Sequence, residues 1–222
     1  MMEFLIIKLH GLMQAWGEHS FEGKRPSASF PTYSGILGLL SACLGIRRSD
    51  IKGYKWLSQY LKIAVRSDSR ITKLENGESK RCRTQKLTDF HTIKDARVNY
   101  SGLKSHETII TRREYLYDAE FTVAIWKTEE NGFSLLEIER AIKKPVFTPF
   151  LGRRSCPITR PLFEAKIESD NEFEALRRIK PDGGIIYSET VGKGIAKKVR
   201  DVPIWDQPRQ FACRIIYAHG GE

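Results

Sequence analysis

Residues 31–46 read PTYSGILGLLSACLGI. From Ile36 to Leu44 the run is apolar on nearly every side, which is the pattern of a helix buried all round. Ser34 is a suitable N-cap and Gly45 a suitable C-terminal stop. Gly35, Gly38 and Ala42 would let such a helix lie close against a sheet. Upstream, Phe4–Leu9 is rich in β-formers, and a loop containing Pro26 and Pro31 separates it from the helix.

Downstream, KIAVRSD (62–68) alternates as a half-buried strand, and AEFTVAIW (119–126) is the strongest strand signal in the chain. SLLEIERAIKKP (134–145) then carries an S-x-x-E capping box at Ser134 and Glu137, with Leu135, Ile138 and Ile142 at helical spacing. Pro145 ends this helix. With a short strand near 146–150, the order becomes βαββαβ: an α+β, ferredoxin-like (RRM-like) domain over residues 1–150. Beyond it, strands are expected at 162–167, 184–187, 195–199 and 211–217, so 151–222 reads as a small β-rich region.

Between the second and third core strands lies an insertion, about 81–116. Residues 81–115 hold eight lysines and arginines against four carboxylates. Alternating stretches TQKLTDFHTI and ETIITRREYL flank a polar middle, as in a long hairpin projecting from the sheet. The whole chain carries a formal charge of +10, so its field favours encounter with polyanions such as nucleic acid.

Four cysteines in 222 residues, widely separated and without a CxxC pair, give neither a zinc nor a redox motif. No cofactor or metal is expected. The apolar run at 36–46 is too short to span a bilayer, and MMEFLIIKLHG reads as a strand and not as a leader. A cytoplasmic protein is expected.

Three places concentrate groups that suit polyanions. At the head of the buried helix, Lys24 and Arg25 could share a phosphate with the free N–H groups, with Tyr33 and Ser34 adding hydroxyls. In FLGRRSCPITRP (150–161), Gly152 permits an unusual turn and Arg153 and Arg154 offer planar forks. Cys156 there reads as a structural thiol. In KSHETIITRREY (104–115), a strand would place His106 and Arg112 on one face with Lys104, and Arg113 on the other. Histidine, lysine and tyrosine can also serve metal-free RNA cleavage. An endoribonuclease using His106, Lys104 and Tyr100 or Tyr115 is therefore the alternative to a non-cutting grip.

MQAWG (13–17), FEGKRP (21–26), FPTYSGILGLLSACLGI (30–46), GLKSHETI (102–109), REYL (113–116), FLGRRSCP (150–157), IYSE (186–189) and PRQFA (208–212) together resemble the CasD family, subunits of the type I-E CRISPR surveillance complex Cascade. The resemblance implies a non-catalytic subunit that binds and caps the 5' handle of crRNA in antiviral defence, with residues about 81–116 as a thumb. It implies CasC and CasA as neighbours and a separate subunit, CasE, as the nuclease. No membrane partner and no functional homo-oligomer are expected. A related branch cleaves repeat RNA with adjacent Lys and His, but here Ser105 separates Lys104 from His106. The RNA-contact candidates are Lys24, Arg25, Tyr33, Ser34, Lys104, His106, Arg112, Arg113, Arg153 and Arg154, with Gln14 and Trp16 added.

Overall fold

The fold was analysed in a computed structural model that describes all residues except 19, 21–22, 74, 83, 95–107, 129–133, 182, 205–209 and 221–222. In chain order, the long strand β1 (Met2–His10) is followed by four two-residue strands, β2 (Met13–Gln14), β3 (Trp16–Gly17), β4 (Lys24–Arg25) and β5 (Ser27–Ala28). Helices α1 (Tyr33–Leu44) and α2 (Ile51–Tyr60) lead to β6 (Leu61–Asp68). Next come β7 (Arg70–Lys73), β8 (Ser79–Cys82), β9 (Gln85–Ile93), β10 (Ile109–Tyr117) and β11 (Glu120–Lys127). After α3 (Leu135–Lys143) the chain continues through β12 (Phe163–Ser169), α4 (Glu172–Arg177), β13 (Gly184–Ser188), β14 (Ile195–Pro203) and β15 (Phe211–His219).

One seven-stranded sheet, in the order β12-β1-β11-β6-β13-β15-β14, organises the molecule. All its pairings are antiparallel. Because side chains alternate along a strand, Leu5, Ile7 and Leu9 of β1 join Ile63, Val65, Phe121, Val123 and Ile125 on one face, under α1 and α3. Phe4, Ile6, Ala64, Ala124 and Ile186 turn to the other face, where Ala175 and Leu176 of α4 cover them. That second face also buries a charged set. Lys8 Nζ lies 2.6 Å from Asp68, whose other oxygen is 2.6 Å from Arg66 Nε. The Thr122 hydroxyl donates to Asp68 at 2.7 Å. Each buried charge thus has a partner, which burial of an ion demands.

Helix α1 is capped not by Ser34 but by Thr32, two residues earlier, whose hydroxyl accepts from the Gly35 amide. It ends at Gly45 as expected. A Cβ on Gly35 would stand 2.8 Å from the Trp16 ring, so this glycine allows the helix to close on Trp16. The capping box of α3 is present in full.

The strand anticipated at 146–150 is absent. Instead the Val146 and Phe147 amides donate to the carbonyls of Cys43 and Ala42, at 3.0 Å each, and so satisfy the C-terminal end of α1. The sheet position beside β1 belongs to β12. Strands β13–β15 extend the same sheet beyond β6, so residues on both sides of position 150 share one sheet.

Candidate nucleic-acid interface

The basic insertion forms an antiparallel ladder of β9 on β10, with nine paired positions from Ile109↔Ile93 to Tyr117↔Gln85. Its base is anchored in the core, because Tyr115 and Leu116 are buried. On its other edge β10 pairs with β2 and, in parallel, with β4, which brings Lys24 beside Arg112 and Arg25 beside Arg113. The Arg112 amide donates to the Gly23 carbonyl at 2.8 Å. Two stretches far apart in sequence thus contribute basic residues to one small sheet. Sequence reading placed both among the candidates but gave no reason to join them.

Residues paired across strands project to the same face. One row across the three strands is Phe90, Arg112 and Lys24, all exposed. The Arg112 guanidinium lies 5.8 Å from the centre of the Phe90 ring. The opposite face carries Asp89, Arg113 and Arg25, and Arg113 Nε donates to the Thr111 hydroxyl at 3.2 Å.

The segment bearing Lys24 and Arg25 is clamped from two sides. The Glu114 carboxylate accepts the Ser27 amide at 3.2 Å and Lys86 Nζ at 3.1 Å, and Lys86 also donates to the Ser27 carbonyl at 2.7 Å. Its hydrogen bond with Lys86 first, and then that with Ser27, hold the Glu114 carboxyl below the usual carboxylate range. Arg153 closes the other side. Its guanidinium donates to the carbonyls of Glu114 at 3.2 Å and Arg25 at 3.0 Å, and it stacks 4.7 Å from the centre of the Tyr115 ring. Arg154 next to it is exposed.

The turn that presents these arginines depends on Gly152. Its φ is +84°, and a Cβ there would come within 1.8 Å of the Ala15 carbonyl oxygen. Cys156, in the same turn, is fully buried, and that burial pushes its thiol pKa up. It is not an activated nucleophile. Burial likewise pushes Cys43 up to about 11. Cys213 is exposed and free.

Several sequence candidates lie elsewhere. Gln14 and Trp16 are fully buried. The Gln14 amide donates to the carbonyls of Ala119 and Leu9, and its oxygen accepts from the Trp16 indole at 3.0 Å. Both are buried packing residues at the root of β10, where Gln14 pairs with Leu116, and neither is exposed to a ligand. The helix head also differs from expectation. The Tyr33 amide donates to the Asp201 carboxylate at 2.7 Å, so a carboxylate occupies the place of the expected phosphate. The Tyr33 hydroxyl donates to the Ser58 carbonyl at 2.9 Å, and burial, with Glu189 next, pushes its pKa up to about 12. Ser34 lies in the first turn of this occupied head. Lys104, His106 and Tyr100 fall outside the described residues. Among the described residues no group of three or more His, Cys, Asp or Glu could hold a metal ion, and no helix is long and apolar enough to cross a membrane.

Phe90 was missed in the sequence. A lone aromatic in an alternating strand carries no distinguishing mark until pairing sets it opposite Arg112.

The model of the CRISPR-associated protein family Cas_Cas5 matches residues 4–217. The chain belongs to the Cas5 family. It is 48% identical, over its full length and 97% of the relative, to the CRISPR system Cascade subunit CasD of Escherichia coli (strain K12). Among solved structures, this Cas5 chain is similar to one in a CRISPR RNA-guided surveillance complex, with a TM-score of 0.71 and 28% identity, covering 98% of this chain and 89% of that one. A crystal structure of a Cas protein shares the fold at a TM-score of 0.63 and 24% identity, over 98% and 94% of the two chains. The basic surface of β4, β9 and β10 is therefore a feature of a Cas5-family chain.

Proposed function

We propose that this protein is a non-catalytic, cytoplasmic subunit of a Cascade complex that grips the 5' handle of crRNA. One observation carries the reading: β4 and β10 pair in parallel, aligning Lys24 with Arg112 on one face and Arg25 with Arg113 on the other. The relative's description as a Cascade subunit supports the choice of RNA over other polyanions.

In this reading β1, α1, β6, β11, α3 and β12 form a ferredoxin-like unit, supported by the strand order β12-β1-β11-β6. The β9–β10 ladder is the base of the thumb. Residues 151–222 form the C-terminal region, which lends β12 to that unit. CasC and CasA are the proposed neighbours.

The exposed cations contact phosphates. Arg153, whose fork is engaged by two carbonyls, holds the segment that carries Lys24 and Arg25. Lys104 and His106, outside the described residues, belong to the same proposed grip.

The test uses the protein alone and assembled with its partner subunits other than CasE, incubated with end-labelled repeat RNA in EDTA. Protection of the 5' handle without new cleavage is the expected result. Cleavage by the wild type that disappears in His106→Ala would establish the endoribonuclease instead. Failure of both forms to bind RNA would overturn the RNA reading altogether.

A further inference from the structure

Phe90 exposes 58% of its surface, on a face of β9 whose other members, Lys86, Thr88 and Thr92, are also exposed. A single exposed aromatic on a protein surface needs no explanation. What sets Phe90 apart is its line of neighbours. Directly across β10 stands Arg112, with its guanidinium 5.8 Å from the ring centre. Beyond Arg112, in the same row, stands Lys24.

Two interstrand steps place the row's ends about 10 Å apart. That span holds a π-face at one end and two cations toward the other. A nucleotide presents the complementary pair: a flat base and, a few ångströms away, a phosphate. Single-stranded nucleic acid is held by this combination of an aromatic platform and a basic track.

We infer that Phe90 is a base-stacking platform, on which an unpaired RNA base rests while Arg112 and Lys24 take the adjoining phosphates. The inference builds on the RNA-binding function proposed above. It assigns a role to a residue with no charge and no hydrogen-bonding group in its side chain. A protein partner would use the row differently, because any apolar side chain of similar size could fill an apolar contact, whereas stacking requires a ring.

The experiment measures binding of single-stranded handle RNA by the assembled complex, using RNA substituted with 2-aminopurine at successive handle positions. Wild-type protein should quench the fluorophore at one position through stacking. Phe90→Ala and Phe90→Leu should abolish that quenching and weaken binding roughly five- to hundredfold, with the salt dependence unchanged because no cation is lost. Phe90→Tyr should restore both.

If Phe90→Ala keeps wild-type affinity and quenching, the platform is overturned, while a shallower salt slope in Arg112→Ala still upholds the RNA grip. If Phe90→Leu behaves as wild type, or Phe90→Ala impairs only complex assembly, the row is a protein contact and the inference is wrong. If the wild type does not bind the RNA, the underlying function fails first, and the platform with it.

Discussion

The Asp201 carboxylate accepts the backbone amide of Tyr33 at 2.7 Å, joining the last β-hairpin to the head of α1 across 168 residues. The same carboxylate is held by the Arg214 fork, at 2.8 and 2.9 Å. Arg214 also lies over the Tyr33 ring, 5.0 Å from its centre, and donates to Glu189. An orphan amide at a helix N-terminus and its partial positive charge are thus satisfied from within. The extension β13–β15 is fastened to the helix that the first core strands bury.

Removal of this carboxylate should be costly. Asp201→Ala leaves the largely buried Arg214 with Glu189 as its remaining carboxylate and strips the Tyr33 amide of its acceptor. A loss of about 3 kcal/mol is expected, since breaking a buried pair leaves an uncompensated charge. Urea denaturation of the purified variant checks it, and a midpoint equal to that of the wild type would show that the contact contributes nothing.

Gly152→Ala should be at least as damaging. Its positive φ disfavours any side chain, and the new Cβ would lie 1.8 Å from the Ala15 oxygen. Backbone atoms must move, which costs on the order of 3 kcal/mol. The Arg153 clamp should loosen with the turn. Thermal melting and RNA binding should therefore both fall, and retention of both would mean that the turn is not needed to present Arg153 and Arg154.

Much of the fold was legible because strong local signals and tertiary structure agree. The uninterrupted apolar run of α1, the capping box of α3 and the alternation in β6 and β11 each point to one outcome. Helix α2 was not seen because Leu57 is its one buried residue, so there is no apolar stripe to read. The segment after Pro145 has the composition of a strand, but its amides are engaged by the end of α1. The site was less legible than the fold. Residue type identified Arg25, Arg112 and Arg153, yet only pairing shows that the first two lie on adjacent strands, β4 and β10, which the third ties together. Gln14 and Trp16 illustrate the converse: polar or aromatic character suggested contact, while their mutual hydrogen bond is internal.

Acid should weaken the C-terminal attachment at Glu189. Burial opposes ionisation of this carboxyl, but hydrogen bonds and charge from Lys62 and Arg214 outweigh it and hold its pKa below the usual carboxylate value. A depressed folded-state pKa means that the stabilisation is complete above the unfolded value, near 4.3, and is lost as pH falls through the lower folded value. Glu189→Gln should therefore be less stable than the wild type at neutral pH, and the gap should close below about pH 4. Denaturation curves across this range test it. A gap independent of pH would show that the ionised carboxylate is not the source.

Arg112 and Arg153 should differ in how their loss affects RNA binding. Arg112 is exposed, and its proposed partner is a phosphate, so Arg112→Ala should lower the slope of log affinity against log salt by about 0.7, the value for one contact on single-stranded nucleic acid. Arg153 already spends its fork on the Arg25 and Glu114 carbonyls. Arg153→Ala should weaken binding by releasing the Lys24–Arg25 segment, with a smaller change in slope. Arg153→Lys should not rescue it, since an ammonium keeps the charge but cannot reproduce a planar fork that bridges two carbonyls and stacks on Tyr115. Equal slope losses for the two alanine variants, with rescue by lysine, would make Arg153 a phosphate contact in its own right and remove the distinction.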